Sequence, residues 1–320
     1  MAKKGPRSPI LDALRLACRD ERLAVEFMER HRWGDMPACP KDGCGCMDVY
    51  QMSGADGGRN KDYRWRCRGC KKMFTVRTGT VMEETRLPMR AWCFAFWRAC
   101  ASKKGVAALQ IHRETEISYK SALYLMHRIR TAMGTDDGTK LSGTVEADET
   151  YVGGKPRYRG PHNKHKSGRG TDKTPVVVVV QRGGAARLRA MQRLTTKNLA
   201  QAIEENVDLR SRFMTDDLNA YTTIGRKFAG GHFTTKHSYG RYVDFDDPSI
   251  HSNTAESVFS LIKRGVYGTF HSVSKKHLPK YLNEFEFRWA TRFQSDGERV
   301  SAAVKAADGK RLTYQGHVGA

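Results

Sequence analysis

Acidic residues occupy two predicted strands of this sequence, where each would need a partner. β-Branched residues around Glu146, Asp148 and Glu149 predict a strand, whose alternation places Glu146 and Asp148 on one face and Glu149 on the other. Carboxylates within a central strand are costly unless they bind something. A second short strand ends in Asp216 and Asp217, at the point where α/β sheets usually hold ligands. Both strands therefore predict carboxylates that serve chemistry.

A third acid, Glu256, lies early in a later predicted helix. Carboxylates from three elements can converge on two divalent cations, which activate a nucleophilic oxygen and stabilise the leaving oxygen of a phosphoryl transfer. Lys263 follows Glu256 by seven residues, so it shares the same helix face and would hold a phosphate. Structural alternatives exist: a capping box for Glu256, turn caps for Asp216 and Asp217, and a surface lysine for Lys263. Capping does not explain Asp148 in mid-strand.

Two cysteine pairs near the N-terminus have the spacing of metal-binding knuckles. Cys39 and Cys44 form the first pair, and Cys67 and Cys70 form the second. Two such knuckles close a tetrahedral thiolate site, for which zinc is the usual metal. Cys46 competes with Cys44 for one position, and buried free thiols or a redox pair are the alternatives. The sequence predicts one structural Zn²⁺, with Cys46 as a possible substitute ligand.

Basic and aromatic side chains surround the second knuckle, a combination that can grip nucleic-acid phosphates. A solvated basic face is the alternative. The residues predicted to contact DNA here are Arg64, Arg66, Arg68, Lys71 and Lys72.

Two helical segments within residues 107–130 are separated by a short polar turn, as in a helix-turn-helix. The second helix would present Lys120, Arg128 and Arg130 to a major groove. Two ordinary packed helices have the same pattern, so both interpretations stay open.

The elements that must position these residues form a mixed α/β domain. After helices in residues 10–32 and 87–133, the periodicity gives three strands, a helix (196–207), the strand that ends in acids, and two helices near 253–266 and 275–292. We expect an antiparallel hairpin with a later parallel addition. Residues 155–173 join two of the strands and contain Lys164, Lys166 and Arg169, which we expect in a DNA-contacting loop or, alternatively, a solubilising insertion.

The bulk composition favours a polyanionic partner. Lys and Arg number 56 against 34 Asp and Glu, a net charge of +22. No apolar run is long enough for a membrane span, and the first residues lack a secretory signal. We therefore expect a cytoplasmic protein that binds nucleic acid and no membrane.

These residues resemble a known family, the insertion-sequence transposases with an N-terminal zinc ribbon and an ISXO-like catalytic domain of ribonuclease-H-like fold. The resemblance runs from about Arg32 to Arg292. The motifs that carry it are CRGCKKMFTVRTGT at 67–80, RLPMRAW at 86–92, SKKGVAALQ at 102–110, VEADETYVGG at 145–154, TDDLNAY at 215–221 and HSNTAESVFSLIKRGVYGTFHSVSKKHL at 251–278. Two features depart from the family: Ala290 stands where members usually carry Asn, and the first cysteine knuckle is longer than usual.

The resemblance implies a DDE-type transposase, a polynucleotidyl transferase that cuts the inverted-repeat ends of a mobile element and joins them to target DNA. It implies Asp148, Asp216 and Glu256 as ligands of two Mg²⁺ (or Mn²⁺) ions, with Lys263 beside them. It further implies DNA contact at Arg264, a homodimer or higher oligomer on DNA, and a place on the bacterial nucleoid.

The expected domains are an N-terminal helical segment (1–36), the zinc ribbon (37–82), a helix-turn-helix-like connector (83–138), the ribonuclease-H-like catalytic domain (139–294) and a C-terminal tail (295–320). Two other functions use the same residues. One is a zinc-ribbon DNA-binding regulator whose acids are structural. The other is a metal-dependent nuclease or junction resolvase that cleaves without joining.

Overall fold

A computed structural model describes residues 8–41, 43–135, 138–154, 173–235, 243 and 247–315 of the chain. The chain divides into two compact units: Met1–Met133 with Phe293–Ala320, and Gly134–Arg292. Lys164, Lys166 and Arg169 of the predicted DNA-contacting loop lie outside the described residues. Within the described part of the chain, no helix combines the length and the apolar character needed to cross a bilayer.

The first unit is mainly helical. Its helices are α1 (Pro9–Ala17), α2 (Glu21–Trp33), α3 (Met89–Ala101), α4 (Ala108–Thr115), α5 (Tyr119–Ala132) and, numbered last in the chain, α10 (Asp296–Lys305). Side chains cap several of them; the Asp20 carboxylate accepts from the backbone N–H of Leu23 at the start of α2, for example. Trp92 and Phe96 of α3 lie fully buried in the core. The two helices predicted as a helix-turn-helix, α4 and α5, are present and pack together.

Helix α10 was not predicted from the sequence, where residues 295–320 are expected to form a C-terminal tail. It begins with a capping box in which the Ser295 hydroxyl and the Glu298 carboxylate satisfy each other's backbone N–H groups. Val300 and Val304 are buried, and the helix packs against α1, α2 and α3. The C-terminal segment therefore belongs to the core of the N-terminal unit.

A small antiparallel sheet carries the cysteines. Its strands are β1 (Val49–Gln51), β2 (Trp65–Cys67) and β3 (Met73–Phe74), with β2 in the middle. The rings of Trp33, Trp65 and Phe74 pack together, with Trp33 lying edge-on to both others. This short-stranded module is the small metal domain that the sequence predicts.

The second unit contains a five-stranded sheet with helices on both faces. Its strands are β4 (Thr144–Val152), β5 (Thr174–Gln181), β6 (Ala186–Ala190), β7 (Arg212–Asp216) and β8 (His232–Thr235), in the spatial order β6-β5-β4-β7-β8. Strands β4, β5 and β6 pair antiparallel, whereas β7 and β8 add in parallel. The expected hairpin and its parallel addition are confirmed.

Among the described residues, the α-helices that cover this sheet are α6 (Thr196–Asn206), α7 (Asn219–Gly225), α8 (Asn253–Gly265) and α9 (Leu278–Ala290). Alternate valines of β5 point to opposite sides, Val177 towards the α6 and α7 cluster and Val178 towards the α8 and α9 cluster. A continuous valine run fits this position, since both faces of β5 are buried. Elements α7 and β8 were not predicted from the sequence, because both are short and rich in polar residues.

Candidate functional site

The two aspartates singled out from the strands lie side by side. The parallel register of β4 and β7 ends with Ala147 opposite Thr215, so the next residue on each strand is the predicted acid, Asp148 or Asp216. One carboxylate oxygen from each, together with one from Glu149, forms a group within 4.8 Å. Opposite oxygen ligands of a divalent cation are separated by about 4 to 5 Å. The three carboxylates therefore fit the first coordination shell of such a cation.

The electrostatics of Asp148 also fit a cation site. Burial, followed by the neighbouring Asp216 carboxylate, raises the pKa of Asp148 to about 8 from its ordinary 3.8, and Glu149 and Glu256 add to the shift. The Glu149 backbone N–H, which donates to Asp148 Oδ1 at 2.7 Å, opposes it. Carboxylates crowded in this way retain a proton unless a cation compensates their charge.

Glu149 differs from expectation. Strand alternation directs it away from Asp148, and the Tyr221 hydroxyl on α7 donates to Glu149 Oε2 at 3.0 Å. Even so, its longer side chain brings an oxygen into the group with Asp148 and Asp216. Burial and the Glu149 carboxylate raise the pKa of Tyr221, which keeps this hydroxyl a donor. Glu149 therefore lies on the strand face opposite Asp148, as alternation predicts, yet its carboxylate reaches the two aspartates.

Glu256 occupies the first turn of α8, as predicted. Its charge contributes to the raised pKa of Asp148, so it lies within electrostatic reach, but it is not part of the 4.8 Å group. Asp217, the neighbour of Asp216, is exposed and also outside that group. Lys263 and Arg264 are exposed near the end of α8. The structure thus brings Asp148 and Asp216 together and leaves Glu256 in the surrounding shell.

Sequence reasoning assigned no role to Glu146, which lies two residues before Asp148. This side chain is completely buried, yet it accepts hydrogen bonds from the backbone N–H groups of Thr254 and Ala255 at 2.8 and 3.0 Å. It also accepts from the Thr254 hydroxyl and from Arg182 Nε. A carboxylate at a helix N-terminus is stabilised by the unsatisfied N–H groups there. The signal for this role in the sequence is an acid that stands between two apolar residues of a predicted strand, Val145 and Ala147.

Four of the candidate cysteines form one cluster. One sulfur each from Cys39, Cys44, Cys67 and Cys70 lies within 4.8 Å of the others, and the sulfurs of Cys39 and Cys70, like those of Cys44 and Cys67, are 3.7 Å apart. A tetrahedral Zn²⁺ with Zn–S bonds of about 2.3 Å places its sulfurs about 3.8 Å apart. Cys46 is not in the group. Its Sγ lies 3.9 Å from the Asp48 carbonyl oxygen instead.

The Cys67 sulfur is prepared for metal binding. The backbone N–H of Cys70 donates to Cys67 Sγ at 3.4 Å. This hydrogen bond is the main cause that lowers the pKa of Cys67 to about 6, so its thiolate forms readily. The four-cysteine cluster is that of a structural zinc site, as predicted.

Basic residues predicted on the ribbon are on its surface. Strand β2 alternates, so Arg66 is exposed while Cys67 is buried. Salt bridges to Asp62 and Asp48 engage two of the arginines, Arg64 and Arg68. All five predicted residues, namely Arg64, Arg66, Arg68, Lys71 and Lys72, are exposed.

Two predicted DNA contacts on α5 are contradicted by burial. Arg128 is 6% exposed and donates to the Glu83 carbonyl and the Tyr124 hydroxyl, while Arg130 is 1% exposed. Both guanidinium groups are buried inside the first unit, where they cannot reach DNA. Lys120, at the start of the same helix, is exposed and lies 5.3 Å from the ring centre of Tyr314.

Comparison with known proteins gives the same two modules. Residues 140–290 match the model of the ISXO2-like transposase domain, and residues 19–73 match the transposase zinc-ribbon domain. A curated relative from Halobacterium salinarum, named as an uncharacterized protein in transposable element ISH50, is 29% identical over 282 residues. That alignment covers 84% of this chain and 90% of the relative.

Among solved structures, the chain is similar to the Mos1 strand transfer complex, at 15% identity and a TM-score of 0.27 over 64% of this chain and 74% of that one. It is also similar to a pre-cleavage Mos1 transpososome, at 16% identity and a TM-score of 0.24 over 64% and 75%. Both family models describe transposase modules, so the chain is similar to insertion-sequence transposases that join a transposase zinc ribbon to an ISXO2-like transposase domain.

Proposed function

We propose that this DNA transposase cleaves the ends of its element and joins them to target DNA at a carboxylate site built on Asp148, Asp216 and Glu256. The observation that supports it most is the adjacency of Asp148 and Asp216 at the end of the β4 and β7 pairing. Their side chains, with Glu149 beside them, would hold divalent Mg²⁺ or Mn²⁺, and Glu256 would complete the set from α8. Two such cations supply Lewis-acid activation of an attacking oxygen and stabilisation of a leaving one.

Each chemical step exchanges one P–O bond for another. In the first, a water oxygen bonds to the phosphorus at the element end, and the bond to the 3′-oxygen breaks, leaving a free 3′-hydroxyl. In the second, that hydroxyl attacks a target phosphate and displaces the target's 3′-oxygen. Burial, and after it the neighbouring Asp216 carboxylate, raises the pKa of Asp148, and a cation bound here would offset both costs of ionising it. Lys263 and Arg264, exposed further along α8, would hold DNA phosphates beside this cluster.

Binding to DNA is proposed to come mainly from basic surface. The ribbon contributes the exposed arginines and lysines around β2, and the chain as a whole carries a net charge of +22. Two element ends must be held for joining, so we propose that a homodimer or higher oligomer assembles on DNA.

The test is an assay with labelled DNA that carries the element's own ends, a supercoiled target plasmid and Mg²⁺. We expect cleaved ends and plasmid joined to labelled DNA. Cleavage without joined product would instead indicate a nuclease or resolvase. Binding without cleavage, in Mn²⁺ as well as Mg²⁺, would indicate a DNA-binding regulator and contradict the proposal.

A further inference from the structure

The hydrogen bonds of the buried Glu146 carboxylate connect the two elements that carry catalytic acids. Its Oε2 accepts from the Thr254 and Ala255 backbone N–H groups, and its Oε1 accepts from the Thr254 hydroxyl at 2.8 Å. Asp148 lies two residues further along β4, and Glu256 directly follows Ala255 on α8. One side chain thus links the strand of the first acid to the helix turn of the third.

The capping of α8 comes from this distant strand and not from its own N-cap residue. Ser252 occupies the N-cap but makes no side-chain capping hydrogen bond. A local cap would stabilise the helix as well, since a serine or asparagine at this position usually suffices. A cap from β4 has an additional effect: it fixes the first turn of α8 relative to β4.

Arg182, which directly follows β5, extends the connection. Its Nε donates to Glu146 Oε1 at 2.6 Å, so the buried carboxylate is paired. Its other nitrogens donate to the carbonyl oxygens of Ser249 and His251, in the segment that leads into α8. The start of α8 is therefore held both by its N–H groups and by the chain before it.

We propose that Glu146 is a positioning residue, which fixes the first turn of α8, and with it Glu256, relative to the Asp148 and Asp216 pair. This inference rests on the proposed function, because it assumes that Glu256 is a metal ligand. Groups that orient metal ligands typically change metal affinity by about 10- to 100-fold when they are replaced. Packing alone would not demand a charged group here, since a buried ion pair can often be replaced by apolar side chains without loss of stability.

The test measures Mn²⁺ binding to the full-length, zinc-loaded protein by electron paramagnetic resonance, and unfolding by calorimetry. In Glu146→Gln, an amide NH₂ would face N–H donors, so the link to α8 or to Arg182 is lost. We expect Mn²⁺ affinity to fall by about 10-fold or more, as in Glu256→Gln. The double variant should bind no more weakly than Glu256→Gln alone, because Glu146 acts through Glu256. Normal Mn²⁺ affinity in Glu146→Gln, or additive losses in the double variant, would overturn the proposal.

Glu286 provides a matched control. It lies on α9 and is 1% exposed. Its carboxylate accepts from the backbone N–H of Leu188 on β6 and pairs with Arg189 of the same strand at 3.0 Å. Glu286→Gln should lower the unfolding temperature and leave Mn²⁺ affinity unchanged. If it weakens Mn²⁺ binding as much as Glu146→Gln does, the effect is general softening of the fold and the positioning role is wrong.

Should Glu146→Gln fail to fold, Thr254→Val decides the question. That change removes a single hydroxyl donor to Glu146 and keeps the backbone bonds, so a smaller loss of Mn²⁺ affinity is expected and an unchanged affinity contradicts the role. Asp148→Asn distinguishes a failure of the proposed function from a failure of the positioning role. If it binds Mn²⁺ normally, the proposed function fails; if it loses Mn²⁺ while Glu146→Gln does not, only the positioning role fails.

Discussion

Single residues at the carboxylate site determine how it responds to pH. Asp148 has a pKa of about 8 in the folded, metal-free chain, because burial and the Asp216 charge penalise its ionised form. Its ordinary value is 3.8, so between about pH 4 and pH 8 the unfolded chain releases a proton that the folded chain retains. Stability contributed by this group is therefore present at low pH and is lost as pH rises towards 8.

The same residue predicts how Mg²⁺ stabilises the protein. Because a cation binds the ionised carboxylate, its binding at pH 6 must displace the proton of Asp148 in nearly every chain, whereas at pH 8 about half of the chains have already released it. We expect the Mg²⁺-induced rise in unfolding temperature to be larger at pH 8 than at pH 6. Calorimetry with and without Mg²⁺ measures this. Asp148→Asn should abolish the difference, and an equal shift at both pH values in the wild type would contradict the assignment.

Neighbouring acids distinguish metal ligands from surface charges. Asp217 is exposed and outside the 4.8 Å group, whereas Glu149 is inside it. We expect Asp217→Ala to keep substantial DNA cleavage and Glu149→Ala to lose more, with a higher Mg²⁺ requirement. Cleavage rates measured across a Mg²⁺ titration test this, and an Asp217→Ala variant as inactive as Asp216→Ala would show that the wrong aspartate was chosen.

The sequence predicted residues well where local pattern decides position, and less well where reach or distant packing does. Asp148 and Asp216 follow from strand ends that meet in a parallel pair. Glu149 does not follow, because alternation gives the face of a strand and not the reach of a side chain. The DNA contact predicted at Arg128 was wrong for another reason: this side chain is buried and donates to the carbonyl oxygen of Glu83, 45 residues earlier in the chain, and local pattern does not reveal such a contact.

At the scale of elements, the zinc ribbon depends on two short knuckles. The spacing alone leaves Cys44 and Cys46 as competitors for one zinc-ligand position, since both follow closely after Cys39. The fold favours Cys44, because its Sγ lies 3.7 Å from Cys67 Sγ, whereas Cys46 Sγ lies 3.9 Å from the Asp48 carbonyl oxygen.

This geometry predicts different outcomes for the two cysteines. Cys44→Ser should lower zinc content and unfold the ribbon, because a structural zinc site contributes directly to folding. Cys46→Ser should retain one zinc per chain. Metal analysis by mass spectrometry, with proteolysis of residues 37–82 as a second readout, measures both, and zinc loss in Cys46→Ser with retention in Cys44→Ser would reverse the ligand assignment.

The exposed basic residues on and beside β2 predict a DNA contact at the same scale. Replacing Arg66 and Lys72 by glutamine should weaken DNA binding and reduce the salt slope of log affinity by about 2, if both neutralise phosphates. Fluorescence anisotropy over a range of salt concentrations measures the slope. An unchanged slope would make this surface a solvated basic face. Lys41→Gln, on the first knuckle, is a control for either single replacement, because each removes one positive charge.

At the scale of the whole molecule, the two-unit organisation reflects hydrophobic patterning, whereas the net charge reflects the expected polyanionic partner. The fold class was predictable, because hydrophobic periodicity distinguishes the mixed sheet of the second unit from the helices and ribbon of the first. The assignment of residues 293–320 to the N-terminal unit was not, since it depends on contacts between the two ends of the chain. The charge of +22 is a property of no single element and predicts DNA affinity that falls with salt.

Separation of chemistry from binding is the central claim for the molecule, and one experiment tests it most directly. Asp148→Asn, Asp216→Asn and Glu256→Gln are compared with the wild type for cleavage and joining of element ends in Mg²⁺, and for DNA affinity in its absence. We predict that each variant loses both reactions by about 100-fold or more, because charge stabilisation in the transition state is lost, while DNA affinity stays near that of the wild type. If Asp148→Asn still joins DNA ends at the wild-type rate, the account of the carboxylate site is wrong.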